Sequence, residues 1–176
     1  MRTGALWDEW DSTGTRSRDV DVFTADDLVA VTLLSVDVSP TGAQILLRER
    51  GEEFEQLLAE VGPDRDLAEE GELTPESPVW RLETALRTVP SVGRTVASKL
   101  IARKRPRLNP IYDRVVGEVL GTKVAHLEPV RQALCVNGGE LHQRLIGLRE
   151  RAQLPAAVSA IRVLDVLAWM QVKAPD

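Results

Sequence analysis

The residues best placed to do chemistry lie between Val89 and Val116. The run Val89-Pro90-Ser91-Val92-Gly93-Arg94-Thr95-Val96-Ala97 ends one helical periodicity and starts another. A glycine at such a turn lets the backbone come close to a phosphate. The N–H groups opening the second helix would then bond the anion, helped by the helix dipole. Small Ala97 allows the two helices to pack closely. Six cations follow with no carboxylate among them: Arg94, Lys99, Arg103, Lys104, Arg105 and Arg107. Such a run offers sequence-independent attraction to a nucleic-acid backbone, or forms a solvated helix face. Asp113 stands just after Pro110, near the expected start of a helix, where a carboxylate meets the dipole favourably.

The elements that must position these groups read as helical throughout. Thr24 and Asp27 have the spacing of a capping box and open a helix through Ser35. Pro40 opens a second helix, and a third runs from about 52 to 61, where Gly62-Pro63 stops it. Residues 63–76 read as an acidic loop with one short turn. Ser77-Pro78 starts the helix leading into the turn at Pro90–Gly93. Further helices are expected at 94–105, 111–120, 127–136, 139–152 and 156–172, with Asn137-Gly138-Gly139 separating two of them. No convincing β alternation occurs. The expected organisation is an N-terminal tail over 1–22, which Trp7 and Trp10 would pin to the body, and one compact multi-helix domain over 23–174. Trp80 and Trp169 are expected in its core, and Cys135 reads as a small buried residue.

Composition bounds the function. The chain has 176 residues, 43% apolar, enough for a real core but with few aromatic side chains to fill it. Its net charge of −5 means that overall basicity gives no argument for nucleic acid; the charge is instead segregated. Residues 51–76 hold ten acidic residues against one basic one, a second candidate interaction face. One cysteine excludes an internal disulfide and a cysteine-ligated cluster. His126 and His142 stand in no ligand spacing, so no metal and no cofactor are expected. The N-terminus lacks the apolar core of a signal peptide and no run is long enough to span a membrane, which makes the cytoplasm the expected compartment.

Residues 89–97 together resemble a helix-hairpin-helix motif, and Asn109-Pro110-Ile111-Tyr112-Asp113-Arg114-Val115-Val116 resembles the aspartate segment of the helix-hairpin-helix DNA glycosylases. Bifunctional members of that superfamily carry a lysine two residues after the glycine matching Gly93, and the aspartate eighteen further on. Those positions here are Thr95 and Asp113. The resemblance implies a duplex DNA partner held by its phosphate backbone through Ser91, Val92, Gly93, Arg94, Thr95, Lys99, Arg103, Lys104, Arg105 and Arg107. It implies a flipped base near Tyr112 and an Asp113 that stabilises the oxocarbenium ion or activates water. Thr95 in place of lysine removes the Schiff-base step and fits a monofunctional enzyme. Ser91 departs from the family by replacing the first hairpin glycine. The segment Lys99–Pro110 also resembles that of an actinobacterial family of unknown function. Three readings stand: a monofunctional glycosylase, a non-catalytic DNA-binding module, and a helical protein-interaction domain using the acidic face.

Overall fold

The computed structural model describes residues 3–173. All of its regular structure is helical, and no strand occurs among the described residues, as the periodicities predict. In chain order the α-helices are α1 (Thr3–Glu9), α2 (Ala25–Thr32), α3 (Pro40–Gln44), α4 (Gly51–Val61), α5 (Pro78–Leu86), α6 (Arg94–Lys104), α7 (Arg114–Val119), α8 (Leu127–Arg151) and α9 (Ala160–Lys173). α3 continues into one wide π-helical turn, Ile45–Glu49, and the acidic connection holds one short 3-10 turn, Leu67–Glu69. No helix among the described residues is long and apolar enough to cross a membrane.

The chain divides into two units, where the sequence suggested one helical domain. The first comprises Met1–Pro63 and Pro75–Lys104, so it contains α1 to α6. Local chemistry sets its helix ends. The Thr24 backbone N–H and hydroxyl both donate to Asp27 Oδ2, at 2.8 and 3.0 Å, which starts α2 as the capping-box spacing predicts. Ser39 Oγ accepts from Gly42 N at 3.1 Å ahead of Pro40 and starts α3. Gly62, at φ +79°, stops α4. α4 packs on α5, and both α2 and α5 pack on α6. Phe54, Leu58, Leu82, Leu86, Leu100 and Ile101 are buried, each contributing about 1.5–3 kcal/mol by leaving water. Phe23 meets Phe54 edge to face, with ring centroids 6.3 Å apart.

The stretch expected as a tail is built into this unit. It carries α1, whose Trp7 is only 2% exposed, and the Trp10 indole N–H donates to Asp26 Oδ1 at 2.9 Å. The two tryptophans thus pin this stretch, but over a helix and a network of bonds. Residues 1, 2 and 174 of the expected segments lie outside the described residues.

The second unit comprises Asp64–Thr74 and Arg105–Asp176. α8 packs on the 3-10 turn, and α7 and α8 pack on α9. Glu128, in the first turn of α8, accepts from Arg131 Nε and Nη2 at 2.7 Å each and from Leu73 N at 3.0 Å. The guanidinium, more than the backbone donor, holds the Glu128 carboxyl down at about 2. α8 is broken where Asn137-Gly138-Gly139 suggested: these three residues have φ of +54°, +69° and +83°. α7 begins three residues later than expected because Asp113, not Pro110, caps it. α9 begins at Ala160 because a turn closed by Val158 N to Pro155 O precedes it. Cys135 is half-buried, with its thiol donating to Ala68 O at 3.3 Å. Trp169 is not a core residue: it lies on the exposed side of α9.

Candidate nucleic-acid interface

The hairpin-like run lies wholly in the first unit. α5 ends at Leu86, and the connection turns twice through backbone bonds, Val89 N to Leu86 O and Val92 N to Val89 O, each 3.0 Å. Val89 and Val92 are buried and anchor this turn, while Pro90, Ser91 and Gly93 face solvent. Ser91 adopts φ +66°, a left-handed conformation that favours glycine. Serine is tolerated there because its hydroxyl is occupied: Ser91 Oγ accepts from Ser39 N at 2.8 Å and donates to Ser39 Oγ at 3.1 Å. Gly93 then precedes α6, its carbonyl accepting from Ala97 N at 2.9 Å. A Cβ built on Gly93 meets nothing within 4 Å, so the face of the turn at the head of α6 is open.

Two residues outside the motif hold it in place. Ser39 makes the bonds just described. Gly42 on α3 lies so close beneath the turn that an added Cβ would come 2.6 Å from Pro90 O and 2.9 Å from Val38 Cγ1. Nothing local in the sequence marks either as a partner of the turn, since both are about 50 residues away from it. Arg87 and Arg94 flank the turn, with Arg87 exposed and Arg94 and Thr95 half-buried. Between them Glu83 is partly buried; desolvation pushes its carboxyl above the usual range, and Arg94 and Arg87 draw it part of the way back.

Most of the basic run is turned inward. Lys99, Arg103, Lys104 and Arg105 are all at least nine-tenths buried. The first three are consumed inside the first unit. Lys99 Nζ donates to Leu34 O at 2.9 Å. Lys104 Nζ lies 2.6 Å from Asp27 Oδ2 and donates to Asp19 O at 3.0 Å. Arg103 pairs with Asp27 Oδ1 at 3.3 Å and Asp26 Oδ2 at 3.7 Å, and donates to the carbonyls of Trp7 and Trp10. Burial pulls the Lys104 ammonium below its usual range, and Asp27 offsets part of that. Arg16 is likewise lowered, first by burial and then by Arg103; its Nη1 donates to Asp8 O at 2.7 Å. The balancing carboxylates that the run lacks locally are supplied by α2, more than 70 residues away in the chain. These side chains therefore hold the N-terminal stretch and α2 to the end of α6.

Arg107 and Arg105 belong to the second unit. Arg107 is half exposed, but its guanidinium is engaged by Asp66, with Nε donating to Oδ1 at 3.0 Å, and its backbone N–H donates to Asp64 Oδ1 at 2.9 Å. The Arg107 guanidinium holds the Asp66 carboxyl down, whereas burial pushes Asp64 up. Part of the acidic stretch 51–76 is paired. Within the first unit Glu53 meets Arg50 and Glu60 meets Arg81; within the second Glu70 meets Arg65 and Asp66 meets Arg107.

Asp113 also lies in the second unit. It is half-buried, and its Oδ1 accepts from Val115 N at 2.8 Å, the geometry of an N-cap. Tyr112 packs: its ring meets His126 edge to face at 5.5 Å and lies where an added Gly117 Cβ would come 3.0 Å from Cε2. His126 is buried, with Nδ1 2.8 Å from Thr122 Oγ1. Asp165, buried on α9, accepts from Ile111 N at 3.2 Å and so fixes the backbone just ahead of Tyr112. No group of three or more His, Cys, Asp or Glu side chains among the described residues converges to hold a metal ion.

The model of the family of unknown function DUF6308 matches residues 1–172. The chain belongs to that family. No curated protein and no solved structure matches the chain. The DUF6308 match spans both units and takes in the N-terminal stretch together with the hairpin and α9. It agrees with the resemblance of Lys99–Pro110 to a family of unknown function and assigns no activity to any residue.

Proposed function

We propose that the chain is a non-catalytic nucleic-acid-binding module that grips the phosphate backbone of duplex DNA at the turn 90–95. The observation that carries this reading is the open turn at Gly93, set at the head of the 11-residue helix α6 and flanked by Arg87 and Arg94. Backbone N–H groups and a helix dipole meeting at an uncluttered glycine suit an anionic oxygen. Lys99, Arg103, Lys104 and Arg105 are buried and Arg107 is engaged by Asp66, so the cations of the run contribute little and the slope of log K against log salt should be shallow. The capping bond of Asp113 accounts for that carboxylate without chemistry.

The test is fluorescence anisotropy of a labelled duplex at low salt. Wild-type protein should bind unrelated sequences alike, with a shallow salt slope. Gly93→Val, which has room for its side chain, should keep its helicity and weaken every duplex about tenfold or more. Equal affinity of Gly93→Val, or no binding by the wild type, removes the reading. Base release from a damaged duplex that vanishes in Asp113→Asn would replace it with the glycosylase reading.

A further inference from the structure

The chain carries two asparagines, and their neighbours set them apart. Asn109 is buried and precedes Pro110, whose nitrogen bears no hydrogen. Asn137 precedes Gly138, and both are exposed. Gly138 has an amide hydrogen and no side chain, so its nitrogen is the least hindered nucleophile that a main chain can offer an asparagine Cγ. The pair sits where α8 is broken: Val136 has ψ +146°, and Asn137, Gly138 and Gly139 have φ of +54°, +69° and +83°. With Asn137 ψ at +40°, the next peptide must rotate before Gly138 N faces Cγ. Three features make that rotation cheap. A Cβ built on Gly138 meets nothing within 4 Å, two consecutive glycines accept conformations closed to other residues, and an exposed break in a helix is a place of local opening.

We propose that Asn137 is a self-modification site, which converts in the folded protein to aspartyl and isoaspartyl forms through a cyclic imide. Gly138 N attacks Asn137 Cγ, the N–Cγ bond forms and the Cγ–Nδ2 bond breaks. The amide hydrogen leaves with Nδ2 as ammonia. Water then adds to either carbonyl carbon of the ring and breaks its bond to Gly138 N. Opening at Cγ gives aspartate on an unchanged main chain; opening at the Asn137 carbonyl carbon gives isoaspartate and carries the main chain through Cβ. No electrons are transferred, and water is the one co-reactant. Either product adds a carboxylate to the shallow cleft that Asn137 shares with Glu140 and Arg144. The isoaspartyl form also lengthens the main chain by one carbon. Because it does so at residues already outside helical geometry, the two halves of α8 keep their own turns.

The test incubates the full chain, folded and in denaturant, at mildly alkaline pH and body temperature. Peptide mapping by mass spectrometry then follows the gain of one mass unit and separates aspartyl from isoaspartyl peptides. In the folded chain Asn137 should convert at a rate within about tenfold of that in the unfolded chain, since opening costs little there. Asn109 should stay intact. Gly138→Ala, which crowds the attacking nitrogen, should slow conversion about tenfold or more. Asn137→Gln, whose longer side chain closes a ring poorly, should remove the product. A folded chain that leaves Asn137 intact, or converts it more slowly than stated, overturns the proposal. So does an equal mass gain in Asn137→Gln.

Discussion

Lys104 Nζ lies 2.6 Å from Asp27 Oδ2, and both side chains are almost wholly buried. Arg103, one residue earlier, shares the same carboxylate through Oδ1. Removing Arg103 takes one of two cations from Asp27 and leaves the Trp7 and Trp10 carbonyls without their donor inside the protein, which costs about 3–5 kcal/mol. Arg103→Ala should therefore lower stability by about that amount in chemical denaturation and loosen the N-terminal stretch in hydrogen exchange. Arg107→Ala, four residues on, is the control. Its ion pair with Asp66 is half exposed, and its loss should cost no more than about 1 kcal/mol.

Gly42→Ala tests how the turn is supported. The new methyl would meet the Pro90 carbonyl, which belongs to backbone and cannot swing aside. The variant should lose about 1–3 kcal/mol of stability, and the amide resonances of residues 90–93 should shift. An unchanged melt with unchanged resonances would mean that α3 does not brace the turn.

Glu128 sets an acid limit on the second unit. Its folded value of about 2 lies below the unfolded value of 4.5. Above pH 4.5 the carboxylate contributes its full stabilisation, and this is lost as the pH falls from about 4.5 to about 2. Glu128→Gln should cost about 1–3 kcal/mol at neutral pH and flatten the fall in stability across that window. A melt series showing equal acid sensitivity in both proteins would count against it.

Asp113 separates capping from chemistry. Asp113→Ala should cost about 1 kcal/mol through the lost bond to Val115 N, whereas Asp113→Asn, which caps equally well, should melt within a few tenths of a kcal/mol of the wild type. Equal stability of Ala and Asn would remove the capping role.

Where an element boundary depends on local chemistry, it is readable from the residues. Thr24 with Asp27, Pro40 after Ser39, Pro78 after Ser77 and the Asn137-Gly138-Gly139 break all stand within a residue or two of where their side chains and backbone preferences put them. α1 escapes because seven residues ending in Asp8 and Glu9 carry no apolar period; it is held by Trp7. The basic run misleads for a different reason. A local charge count cannot see Asp26 and Asp27, which become neighbours of Arg103 only when α2 packs on α6. Trp169 is the reverse case, a large apolar residue assigned to the core by type alone, though it falls on the outer side of its helix.

The anchoring of the N-terminal stretch has a consequence for how it can vary. Arg103 holds it by the carbonyls of Trp7 and Trp10, Lys104 by that of Asp19, and Arg16 reaches back to that of Asp8. Every residue type supplies a carbonyl. Side chains such as Glu9 can therefore be exchanged with little effect, whereas adding or deleting a single residue between Trp7 and Trp10 would move one acceptor out of reach of the guanidinium. Between these two tryptophans the spacing of the chain matters more than its spelling.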